Sequence, residues 1–85
     1  MSNNYYLIQG IVKEICPVER YGYTFRNLMV DGILIHMAKG ATWTNPDTQV
    51  GDEVAVTCID QYTSEGKAVT GVTVTWIGGR RRKEA

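Results

Sequence analysis

The chain has 85 residues, enough for one small domain, and its 44% apolar and 9% aromatic content excludes disordered and fibrous classes. Its 9 Lys and Arg balance its 9 Asp and Glu, and no uncharged apolar run approaches the roughly 18–20 residues that a membrane helix needs. A core of this size leaves little room for a deep catalytic cleft.

The polar, uncharged opening Met1-Ser2-Asn3-Asn4 lacks the pattern of a secretory leader, so the expected location is cytoplasmic. Tyr5 to Cys16 is rich in Tyr, Leu, Ile and Val and predicts a first strand. Gly10 marks a bend or bulge within it, and Pro17, which has no N–H to give a ladder, is expected to end it. Gly22 to Val30 predicts a second strand, in which Tyr23, Phe25 and Val30 favour extended backbone. Asp31-Gly32 is a strong two-residue hairpin signal, and Ile33 to Met37 reads as the third strand. Lys39 to Asp52 holds Gly40, Asn45, Pro46, Asp47 and Gly51 around a single Trp43 and reads as a connection, with a short helical turn before Asn45-Pro46. Val54, Val56 and Cys58 then alternate with Ala55, Thr57 and Ile59, the period of a half-buried fourth strand. After the turn at Ser64 to Lys67, Ala68 to Ile77 alternates again, with Val72, Val74 and Trp76 on one face and Thr73 and Thr75 on the other.

Five strands with a longer connection between the third and fourth predict an all-β, five-stranded Greek-key barrel of the OB-fold type, since an open sheet would leave two edges to protect. The domain is expected over residues 1–79, with residues 80–85 as a basic, flexible tail. Arg80, Arg81, Arg82 and Lys83 face only Glu84, so the tail carries +3 and the rest of the chain −3. Cys16 and Cys58 form no short-spaced pair, and His36 is the one histidine, so neither metal nor cofactor is expected; the cysteines read as reduced, small apolar residues.

The motifs and their order resemble the cold-shock domain. Gly10-Ile11-Val12-Lys13 opens the first strand, Tyr21-Gly22-Tyr23 begins the second, Ile33-Leu34-Ile35-His36 forms the third, and Gly51-Asp52-Glu53-Val54 and Gly66-Lys67-Ala68-Val69 open the last two. The stretch from Phe25 to Gly40, together with Gly51 to Val56, is also similar to bacterial translation initiation factor one. The resemblance spans about residues 10–77 and implies single-stranded RNA or DNA bound by base stacking on a sheet face. The chain departs from the cold-shock pattern at Glu14, where a tryptophan is usual, at Glu19-Arg20, and at Leu34 and Met37, where aromatics are usual.

Tyr21 and Tyr23, two apart on a regular strand, would share a face, and Phe25 would continue the row. Aromatic rings displayed on a sheet give any base a surface to stack on. The candidate nucleic-acid-binding residues are therefore Tyr21, Tyr23 and His36 for stacking, with Lys13, Arg20, Arg26, Arg80, Arg81 and Arg82 for phosphates. No paired acid and base, P-loop or nucleophile with a neighbouring base is present, so the expected protein is a binder and not an enzyme. Its expected partner is single-stranded RNA or DNA, as a monomer or weak homodimer away from membranes. The acidic body, Glu14, Leu34 and Met37 favour the alternative of a protein-interaction module. Such a module would regulate or inhibit a larger enzyme or self-associate; between the two readings stands a ribosome-associated factor, as the similarity to initiation factor one implies.

Overall fold

A computed structural model describes residues 4–79. They form β1 (Tyr6–Arg20), β2 (Tyr23–Val30), β3 (Ile33–Trp43), β4 (Asp52–Thr63) and β5 (Gly66–Gly79), with no helix among them. The strands close in the order β1-β2-β3-β5-β4. Every pairing is antiparallel except β3 with β5. This is the five-stranded Greek-key barrel of the OB-fold type, and the longer connection does lie between β3 and β4.

β1 belongs to both halves of the barrel. Tyr6 to Ile11 pair with β4, and from Val12 to Arg20 the strand pairs with β2. The handover falls next to Gly10, where a Cβ would meet Val30 Cγ1 at 3.3 Å, and it is completed by a bulge between Val12 and Glu14. A small barrel needs such a bend to turn its corner. Inside, Val12, Leu28, Val30, Ile35, Val54, Val56, Cys58 and Val74 are fully buried, with Ile8 and Met37 beside them. Each such side chain contributes about 1.5–3 kcal/mol on burial. Both cysteines are free thiols, and burial together with the nearby Asp60 pushes that of Cys58 up to about 11.

The structure corrects four local expectations. Pro17 does not end β1 but lies within it, opposite Arg26. Beyond Ile11 the other edge of the strand has no ladder, so a residue without an N–H is tolerated there. Residues 39–43 belong to β3, not to the connection, because Thr42 and Trp43 pair in parallel with Thr73 and Val74. Residues 38–41 bulge out between that pairing and Met37↔Gly71, with Gly40 at φ 80°. The connection narrows to residues 44–51 and contains turns instead of a helical turn. Finally, Val72, Val74 and Trp76 do not share one phase. Thr57 faces Thr73 while Cys58 faces Gly71, so Val72 is the bulged residue, and buried Gly71 takes the inward place before Val74.

The connection is held at both ends. Asn45 accepts from Asp47 N at 2.9 Å and Thr48 Oγ1 donates to Asn45 O at 2.6 Å. Buried Asp52 accepts from Gln49 N and from Trp76 Nε1, each at 3.0 Å. Gly51 N donates to Val12 O, which ties the connection to the barrel at the bend of β1.

Candidate nucleic-acid interface

Two hairpins run past the closed part of the barrel. One is the end of β1 with the start of β2, joined by Tyr21-Gly22; the other is the end of β4 with the start of β5. The β2–β3 ladder covers only Leu28 to Val30 against Ile33 to Ile35, so toward the hairpin the two strands separate. A groove opens across the outer face of β1, β2 and β3. One part, about 370 Å³, is lined by Cys16, Val18, Tyr21, Asn27 and Leu34, with Arg20, Phe25, His36 and Met37 shared with the second part. The second, about 580 Å³, continues to Lys39 on the β3 bulge and to Glu65 and Lys67 on the β4–β5 hairpin.

The aromatic residues reach this face in different ways. Tyr23, 42% exposed, lines neither part of the groove but an adjoining recess with Arg26 and Trp43, and it meets half-buried Phe25 edge to face, with ring centroids 5.1 Å apart. Lys39 Nζ sits 5.2 Å from the Tyr23 ring centroid, within cation–π range. Tyr21 does not lie on the strand with Tyr23. It occupies the first position of the two-residue turn at φ 55°, followed by Gly22 at φ 70°, and is 94% exposed. Primed turns of this kind match the twist of a hairpin but demand left-handed backbone at both positions, which tyrosine adopts at a cost of about 1–2 kcal/mol. Tyr21 is thus a strained, fully displayed ring at the lip of the groove. His36 is exposed near the middle of the groove.

The cations divide. Arg20 lines the groove, and Lys39 and Lys67 join it, although neither stands among the residues singled out from sequence. Lys67 is partly engaged with Asp60, 3.5 Å away. Arg26 does not join them. Its guanidinium donates to Pro46 O at 3.3 Å and Thr48 O at 2.9 Å and lies 4.6 Å over the Trp43 ring, so it clamps the connection. Lys13 sits in the β1 bulge, exposed, and does not line the groove. Arg80, Arg81 and Arg82 lie outside the described residues.

Phe25 was legible from its spacing to Tyr23. Lys39 and Lys67 were not, because only the β3 bulge and the β4–β5 hairpin bring them to one surface. Among the described residues no group of three His, Cys, Asp or Glu side chains gathers as a metal site would require. No family model matches the chain, and no curated protein or solved structure matches it.

Proposed function

We propose that this barrel binds single-stranded RNA or DNA without catalysis, by stacking bases in the groove of β1, β2 and β3. The observation that carries the reading is the juxtaposition of rings and cations there. Phe25 and His36 line the groove with Arg20, Lys39 and Lys67 around it, Tyr23 packs on Phe25 and Lys39 at its edge, and Tyr21 is held strained and exposed at its lip. Base stacking needs rings on an accessible face and contributes about 1–3 kcal/mol per base, while cations along the groove meet phosphates. The body of the chain is acidic, but the groove is lined by Arg20, Lys39 and Lys67 against Glu65, with Asp60 paired to Lys67. A duplex presents neither unstacked faces nor a shape that enters a cleft between two hairpins.

Fluorescence anisotropy of dye-labelled dT12 and U12 at two salt concentrations tests this. Micromolar binding that weakens with salt is expected; no binding of either strand at low salt overturns it. The apolar wall of Leu34, Val18 and Met37 in the same groove favours, as second reading, a surface that docks on another protein. The residues of the groove would then act as apolar anchors, and the nucleic-acid titration would be flat.

A further inference from the structure

The floor of the groove contains a polar group that the fold leaves half used. Asn27 on β2 is only 8% exposed and lines the groove beside Phe25, Leu34, His36 and Met37. It stands one residue beyond the last β2–β3 pair, Leu28↔Ile35, where Met37 N on the diverging β3 needs an acceptor. Asn27 Oδ1 supplies it at 2.9 Å. A backbone N–H can only donate, so this bond fixes the carboxamide: oxygen to the fold, nitrogen away from it. Among the described residues Nδ2 has no hydrogen-bond partner, yet it is not sealed from solvent, which leaves the groove as its outlet. When a ring covers that floor and displaces water, the amide donor loses its solvent partner, so the ring itself must bring the acceptor.

We infer that Asn27 is a specificity-determining residue of the groove, its Nδ2 donating to a carbonyl oxygen on the edge of a bound nucleobase, so that keto bases are favoured over adenine. This rests on the single-strand reading above. The usual asparagine–adenine pairing is bidentate and uses the side-chain oxygen as acceptor for the exocyclic amine. Here that oxygen is held by Met37 N, and what remains is a donor. Adenine is the one common base with no carbonyl oxygen and offers Nδ2 only ring nitrogens set back in its edge; uracil, thymine, cytosine and guanine each carry at least one projecting oxygen.

Deoxyinosine and deoxyadenosine hexamers provide the test, since both are purines that offer a similar face for stacking and differ at position 6, oxygen against amine, and at N1, which carries a hydrogen only in inosine. The full chain is expected to bind the inosine strand about three- to tenfold more tightly, the range set by one net hydrogen bond. In Asn27→Asp, which keeps an acceptor for Met37 N and removes both donors, the ratio should fall to about one, even as the added charge lowers both affinities. The Asn27 side-chain amide proton resonances should move downfield on adding the inosine strand to the unaltered protein and not on adding the adenosine strand, a readout independent of how the variant folds. Equal affinity for the two strands, a ratio retained in Asn27→Asp, or unmoved amide resonances each overturn the assignment while leaving the single-strand reading intact. Failure of both hexamers and of dT12 to bind overturns both.

Discussion

At the scale of single residues two kinds of tyrosine stand at the edge of the groove. Tyr23 is on regular strand, braced by Phe25 and approached by Lys39. Truncating it removes a platform without opening a core cavity, so Tyr23→Ala should weaken single-strand binding by roughly 1–3 kcal/mol while the melting temperature moves little. Anisotropy and thermal melts on the same sample check both halves. Tyr21, at φ 55°, carries a conformational cost that asparagine largely avoids. Tyr21→Asn should therefore raise stability by up to about 1 kcal/mol and lower affinity, changes of opposite sign. A variant more stable and equally tight in binding would remove Tyr21 from the site. The sequence shows both tyrosines and the glycine between them, but not their phase, because Tyr21-Gly22 satisfies a strand pattern and a turn pattern equally well until the register of Arg20 with Tyr23 decides.

At the scale of elements, what was legible followed local rules and what was hidden came from distant pairing. Asp31-Gly32 forms the hairpin turn its residues announce, with φ of 54° and 72°. Val54, Val56 and Cys58 are all fully buried, as their alternation requires. The alternation of β5 misled because a bulge at Val72 resets it, and a bulge is set by the partner strand. Val74→Ala should thus cost roughly 1–3 kcal/mol in chemical denaturation, and Val72→Ala distinctly less. Equal costs would argue for the unbroken phase. The length of β3 and the clamp of Arg26 on residues 46 and 48 were hidden for the same reason: their partners lie on β5 and in the β3–β4 connection.

At the scale of the whole molecule, barrel closure couples folding to two protons. The hydroxyl of Tyr6 on β1 donates to Asp60 on β4, and that bond raises it to about 12; Cys58, buried in the barrel, is raised to about 11. Both groups hold their proton more tightly folded than unfolded. Their contribution to stability is therefore complete below about pH 9 and declines as pH climbs through 11, because the unfolded chain ionises first. Denaturant midpoints at pH 8 and pH 11 should show the decline, and Cys58→Ala should flatten it. The barrel also fixes where the chain leaves it. β5 begins at the hairpin that bears Lys67, and ends at Gly79 against Asp52, close to the connection that closes the far side. At about 3.3 Å per residue, that 14-residue strand carries the chain at most about 40 Å from the groove's outer wall. The described chain thus ends far from Lys67, so reach becomes a matter of oligonucleotide length. Truncation after Gly79 should leave hexamer affinity and its salt slope unchanged. For a long strand it should flatten the slope of log affinity against log salt, by about 0.7 for each phosphate that the tail would otherwise neutralise. If both lengths respond alike, the tail acts by general attraction; if the long strand alone responds, the protein has a ruler built from the length of its last strand, and its footprint on nucleic acid is longer than its groove.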